Sequence, residues 1–512
     1  MADQLSVHKV MCRGGLDTSR DVLAQGESSP GSAIQLVNYE PAVTGGYRRI
    51  NGYTNSYGTV TGVGSVLGVH VANGINDGIL ACRKPSSGNN YLHRWNAATS
   101  AWVAVTCGGS PTMTGVNKVR FSSFNFATKK VILTDGINPA ATYDGSTYTQ
   151  ITHSAAPTDP KYAVDFASHM FLAGDPAHPS KLFFSAPLAE TDFAAGNGAG
   201  VINVGFDIVA IKPFRDALYI FGTDTIKALK GTSLANFTLS GVTHNLGCMA
   251  TDSVIEIGGE LLFLSQDGIR PISGTSRIGD VELETISKDI QSVFNDILFS
   301  LDLDGLSAVV IRKKSQFRLF FSASESQGLI GGIRKGQEGF SFEFGQLLGL
   351  EATCASSGYI GQYEYIIHGS SDGKVHRQED GNSFDGTEIF SVYQTPYLYM
   401  ENPEQRKIFH RITTYLRSEG DNELVLSAVY DYDDVNVMNP TNYNITTRGA
   451  AAYFNEAAYN STAVYSGNPS PIQTTNISGS GKSVSFKYVT NSTDASHSIQ
   501  GIVLTYGTGD LR

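Results

Sequence analysis

Chemistry on a protein starts from side chains that can hold a cation, move a proton or attack, and this 512-residue chain offers few such groupings. Asp431, Asp433 and Asp434 crowd together, and Asp302 and Asp304 stand just before Gly305. Both have the oxygen chemistry that holds Ca²⁺, but neither is followed by the full run of ligands a calcium loop requires, so both read as solvated turns at strand ends. The eleven His residues form neither H-E-x-x-H nor a facial triad, and His169 and His178 read as loop and core residues. Cys12, Cys82, Cys107, Cys248 and Cys354 are odd in number, far apart and without C-x-x-C. They indicate neither a disulfide framework nor a zinc site, and read as buried free thiols. No catalytic, cofactor-binding or metal residue is assigned, no cofactor is expected, and the chain reads as a non-enzyme.

The elements that must position any site are strands. In Leu261–Gly274 an apolar run ends at Asp267-Gly268, a second short strand follows and Gly274 closes it. This is hairpin chemistry, because Gly reaches the positive φ of a tight turn and Asp tolerates it. Related phrases occur at Val131–Gly136, Leu218–Asp224 and Ile366–Gly373; Asp224 and Asp267 lie 43 residues apart, while the other offsets, 89 and 105, are about two such units. A unit of roughly 40 to 50 residues read as four short strands is the period of a β-propeller blade.

A catalytic propeller would act most plausibly on glycans, with two carboxylates near its axis. Sialidase-type propellers carry repeated Ser-x-Asp-x-Gly-x-x-Trp boxes. Ser265–Gly268 and Ser371–Gly373 begin similarly, but the spacing departs and the Trp is missing. In Phe340–Phe344 alternation puts three Phe on one face, as a core strand requires, rather than building a sugar platform.

With 55 Gly, 50 Tyr plus Phe, and 17% charged residues, the composition favours an all-β protein. A propeller of six or seven blades uses about 300 residues and leaves room for a further domain. Residues 1–45 read as an N-terminal arm and first strand, broken at Gly14-Gly15 and Pro30-Gly31. Residues 46–390 read as the propeller, interrupted by a short helix over Thr285–Phe294 with Thr285 as its cap. After about residue 390 the Asp-Gly phrase gives way to longer strands, among them Ile408–Leu416, Leu424–Tyr430, Ser483–Tyr488 and Ser498–Tyr506. Residues 391–512 read as an antiparallel β-sandwich and assembly domain. The arm and sandwich are expected to make subunit contacts while the propeller projects away, so that deleting residues 1–31 would leave a folded propeller unable to assemble. No secretion signal or membrane span is expected, since the start lacks an apolar core and no eighteen apolar residues run together.

Four phrases carry a family resemblance: Gly14–Asp17 followed by Gly46–Arg49 and Gly52-Tyr53; Lys181–Ser185 followed by Asp192-Phe193; Asn245–Cys248 followed by Ser265–Ile269; and the closing Ser498–Ile502. In order and over most of the chain they resemble the tail nozzle or tail tube protein B group of short-tailed bacteriophages and the related packaged-DNA stabilisation proteins. The resemblance implies a structural virion protein, made in the host cytoplasm and placed in the phage tail. It implies a homohexameric ring that contacts neighbouring tail or portal-adaptor proteins and tail fibres, with viral DNA passing through the lumen unbound during ejection. It brings no residue-level site. A net charge of −11 fits such a conduit, because an acidic lining repels phosphate. The alternative is a receptor-binding or glycan-binding propeller on the tail, and more distantly a glycan hydrolase.

Overall fold

The computed structural model describes residues 5–88, 90–109, 113–273, 285–294, 303–321, 327–335, 340–447, 451–452, 464–465 and 471–508. The chain is all-β, and its first large unit is a β-propeller. Seven sheets follow one another around an axis, with innermost strands Val63–Val71, Arg120–Asn125, Tyr162–Phe166, Ala210–Phe214, Ile255–Ile257, Ser307–Ile311 and Cys354–Ile360. We call these blades I to VII. Six have four strands or more, and blade V has three among the described residues. The outermost strand of blade VII is Tyr53–Thr54, paired with Val375–Gln378, so the start of the propeller closes onto its end.

The repeated phrase has one structural meaning. Asp135, Asp224, Asp267 and Asp372 each stand between the second and third strands of their blades. Gly136, Gly268 and Gly373 have φ of 78°, 120° and 85°, the left-handed conformation that a side chain resists. At Gly373 a Cβ would also fall 2.0 Å from the Arg83 guanidinium carbon. The helical expectation holds in part. Lys288–Ile290 forms a 3₁₀ turn and residues 291–294 continue as helix, with Ile290 and Phe294 fully buried. Thr285 does not cap it: its hydroxyl donates to Asp267 Oδ2, while Ser287 Oγ accepts the Ile269 N–H.

The second unit is a sandwich of two sheets. One contains Leu5–Met11, Tyr39–Pro41, Tyr47–Arg49, Lys407–Ser418, Ile472–Asn476, Ser480–Gly481 and His497–Thr508. The other contains Gln35–Val37, Ile389–Gln394, Asn422–Tyr430, Tyr443–Thr447 and Val484–Ser492. Strand Asn422–Tyr430 alternates strictly, with every second residue buried from Asn422 to Tyr430, which is the period of a strand with one face on a core. The chain changes sheet at Gly420, where Asn422 Nδ2 donates to Ser418 Oγ at 2.7 Å and to the Gly420 carbonyl at 2.9 Å.

Residues 5–45, the described part of the expected arm, do not stand apart from the rest. Leu5–Met11 pairs antiparallel with His497–Thr508, from Leu5 opposite Gly507 to Met11 opposite Gly501. Val10, Cys12, Leu16, Ala33, Leu36 and Tyr39 lie in the same core as Phe409, Leu424, Tyr488 and Ile502. Gly14-Gly15 is where the chain presses on blade VI. Gly14 N–H donates to Glu343 Oε1 and Leu16 N–H to the Phe344 carbonyl, and a Cβ on Gly15 would lie 2.7 Å from Phe344 N. The helix Val22–Ser28 follows, capped by Asp21, whose carboxylate accepts from the Leu23 and Ala24 N–H groups. A segment with few core residues of its own thus gains a core from both units, and its removal would open both.

The two units also share one sheet. Gln35–Val37 pairs antiparallel with Ile389–Gln394 and parallel with blade VI at Val37 opposite Gln346, making nine strands continuous from Ser307 to the sandwich. Asn38, at φ 54° and 1% exposed, pins this seam. Its Nδ2 donates to the Leu348 and Phe390 carbonyls, and its Oδ1 accepts the Leu348 N–H.

Candidate functional site

The propeller axis holds a cavity of about 390 Å³, lined by the innermost strands of all seven blades. Its lining carries four cations, Lys118, Arg120, Lys212 and Arg312, against two carboxylates, Asp252 and Glu256. Asp252 receives Arg120 Nε at 3.0 Å and Arg120 Nη2 at 2.9 Å, with Lys118 Nζ at 3.0 Å. Lys118 Nζ also donates to the Leu306 carbonyl at 2.6 Å and to Ser307 Oγ at 2.7 Å, tying blade II to blade VI across the axis. Burial pushes the Asp252 carboxyl up, but the two cations outweigh it and hold it down at about 2. Lys212 from blade IV also faces this space, and burial pulls its ammonium down against the opposing pull of Glu256.

This arrangement is an ionic plug. A glycoside-cleaving pair needs one carboxyl that stays protonated near neutrality, whereas Asp252 is fixed as an anion between two cations. The two partial sialidase-like boxes lie away from the channel, in blade hairpins. There Asp267 accepts from Arg270 Nε at 2.8 Å, and Asp372 pairs with Lys374 at 2.6 Å.

The other residues singled out in the sequence sit as follows. Asp431 Oδ1 accepts the Lys482 and Ser483 N–H groups at 2.7 and 2.8 Å, Asp433 accepts from Asn439 Nδ2 and Asp434 from the Asn436 N–H. They are turn anchors rather than a converging ligand set, and no group of three His, Cys, Asp or Glu side chains able to hold a metal occurs among the described residues. Asp304 pairs with Lys161 at 2.8 Å, and Asp302 lies outside the described residues. His169 is buried, with Nδ1 2.6 Å from the Ser185 carbonyl oxygen, and His178 is 3.4 Å from Asp175. Four of the five cysteines are buried, Cys107 is half-buried and all are unpaired. Burial pushes the Cys248 and Cys354 thiols up to about 11. Phe344 is buried and Phe342 half-buried against the core; the side chain of Phe340 lies outside the described residues.

A second charged cluster has no signal in the sequence. Glu40, on a sandwich strand, accepts from Arg48 at 3.0 Å, Lys314 at 2.7 Å and Arg318 at 3.3 Å. Arg318 and Lys314 also pair with Glu379, and Arg48 reaches Glu419 at 2.6 Å. The Arg318 and Glu40 side chains are each 1% exposed. Burial pushes Glu379 up, but Arg318 and Lys314 hold it well below the usual carboxylate range. The adjacent Arg49 is fully buried and donates to the Asp494, Ser492 and Ile389 carbonyls. Arg48 and Arg49 are therefore both engaged within the protein, Arg48 by Glu40 and Glu419 and Arg49 by three carbonyls.

What fold and sites together define is a β-propeller fused through a continuous sheet to a β-sandwich, with ion pairs lining its axial cavity. No family model matches the chain, and no curated protein matches it. Among solved structures it is similar to Hsv2p of Kluyveromyces lactis, at 10% identity over 53% of this chain and 81% of that one, with a TM-score of 0.29. A form of that protein with loop 6CD replaced by a Gly-Ser linker aligns at 10% identity, over 56% and 98% of the two chains, with a TM-score of 0.31. The fold assignment rests on strand order and pairing.

Proposed function

We propose that the chain is a structural subunit of a bacteriophage tail, assembling into a homohexameric nozzle ring through whose lumen DNA leaves the particle. The observation that carries this reading is the continuous nine-stranded sheet with the buried Glu40–Arg318–Glu379 network beside it, which makes propeller and sandwich one rigid block. A rigid block suits a load-bearing ring, whereas an enzyme or a clamp between domains gains from a hinge. The propeller axis is not the conduit. A duplex whose major groove alone is about 12 Å wide has no passage through a 390 Å³ cavity closed by Lys118, Arg120 and Asp252. DNA would pass between subunits, around the axis of the ring.

The lumen is passive in this reading, since a subunit charge of −11 repeated around a ring opposes phosphate approach. The test is a titration of the assembled protein with duplex DNA at low salt, where any attraction is least screened. Weak binding, no tighter than that of another acidic protein, is expected. Micromolar or tighter affinity that collapses as salt rises would overturn the passive conduit. A monomer that binds instead on a carbohydrate array would turn the assignment to a glycan-binding tail protein.

A further inference from the structure

The outward face of the first sandwich sheet is chemically unlike the rest of the chain. Leu5–Met11, His497–Thr508, Lys407–Ser418 and Ile472–Asn476 lie side by side in that order. Their register sets Met11, Gly501 and Tyr415 in one row, Lys9, Val503 and Thr413 in the next, and Val7, Thr505 and Arg411 in a third. Leu5, Val7 and Met11 are 56%, 57% and 66% exposed, and Ile408 and Tyr415 are exposed beyond them. At Gly501 the row carries no side chain, which leaves a slot between Met11 and Tyr415. These four strands hold four of the 37 Lys and Arg residues, of which Lys407 is buried, and none of the 48 Asp and Glu residues, so the rest of the chain sets 33 cations against 48 anions. Lys9, Arg411 and Arg417 are exposed. An apolar face with only positive charge on an acidic protein calls for an acidic, apolar partner.

The same chain supplies one. After Asn422–Tyr430, residues Asp431, Tyr432 and Asp433 have φ of 48°, 61° and 61°, three successive non-glycine residues in the left-handed region. Such backbone is disfavoured for any side chain and persists only where its surroundings impose it. Here Asp431 is held by the Lys482 and Ser483 N–H groups, and the Tyr432 ring stacks on Tyr397 with centroids 4.1 Å apart. The turn carries the exposed carboxylates Asp433 and Asp434 and presents Val435 at 97% and Met438 at 89% exposure. It is a preformed knob with two acids and two apolar tips.

We infer that this knob, residues 431–438, docks on the Leu5–Met11 and Lys407–Ser418 face of the next copy of the chain, and that this contact builds the ring. The inference rests on the homo-oligomeric reading above and supplies its interface. Val435 and Met438 meet the apolar rows beside the Gly501 slot, while Asp433 and Asp434 meet Arg411 and Lys9. The face does not pair with itself, because its exposed charges Lys9, Arg411 and Arg417 are all cationic and a two-fold contact would set cations against cations with no acid between them. The contact is therefore heterologous, the kind that closes into a ring when the rotation fits.

The experiment is a charge swap on the full chain, read by sedimentation against protein concentration. Asp433→Lys with Asp434→Lys, and separately Arg411→Glu with Lys9→Glu, should each raise the concentration at which the oligomer forms by at least about tenfold. Mixing the two reversed proteins should restore hetero-assembly, since the swapped knob then meets a swapped face. All four positions are exposed, and an unchanged unfolding temperature separates lost contact from lost fold. If the wild type assembles and the reversed variants assemble equally well, the docking is overturned while the ring reading stands. A wild type that stays monomeric at every concentration overturns both.

Discussion

Arg318 sits between Glu40 and Glu379 with its side chain 1% exposed, so its worth is set by what would be left behind without it. Removing one partner of a buried ion pair leaves an uncompensated charge and typically costs about 3–5 kcal/mol. Arg318→Ala should lose stability of that order in a denaturant titration, and a loss below about 1 kcal/mol would mean that water reaches the cluster. The histidines make a second residue-scale statement. Burial pulls His497 down to about 3 and takes His368 well below its ordinary 6.5. Below pH 6.5 the unfolded chain takes up protons that these native rings refuse, so stability should fall as pH drops through that value. Glu379 and Asp252, both lowered in the native state, add stability that is complete above their ordinary 4.5 and 3.8 and is lost as pH falls toward about 2. Unfolding midpoints measured from pH 7 to pH 3 should decline from about 6.5 and more steeply below 4.5. A flat profile between pH 7 and 5 would contradict the neutral buried histidines.

Individual blade hairpins were legible in the sequence because their chemistry is local: an apolar strand, Asp-Gly and a short strand fall within about a dozen residues, and each such phrase became the second and third strands of a blade. The N-terminal segment was not legible as part of the sandwich, because its pairing is among the most distant possible, with Leu5 opposite Gly507. Its core residues Val10, Cys12, Leu16 and Leu36 are too sparse to read as a domain, and become core only against distant strands, Leu36 opposite Tyr393 and Val10 opposite Ile502. The Lys118–Arg120–Asp252 plug was hidden for the same reason, since no spacing rule links Arg120 to a carboxylate 132 residues on. Truncation of residues 1–31 is accordingly expected to strip the edge strand, expose His497–Thr508 and leave an aggregating protein rather than a free propeller. A soluble truncated chain with an unchanged unfolding midpoint would refute that view of the segment.

At the scale of the molecule, a propeller that closes on its own N-terminal strand Tyr53–Thr54 hides its edges and has little need of neighbours. The sandwich differs: among the described residues its edge strand Leu5–Met11 pairs on one side only, beside the apolar and cationic face. Whatever assembly the chain undergoes is thus expected at the sandwich, and in the proposed ring the acidic remainder would face the lumen. The central claim is that this rigid block is one subunit of a closed ring. Sedimentation equilibrium of the purified full-length chain tests it most directly. A single species of six copies of the 54.9 kDa chain, about 330 kDa, stable on dilution, is the expected result. A 54.9 kDa monomer at every concentration would contradict it.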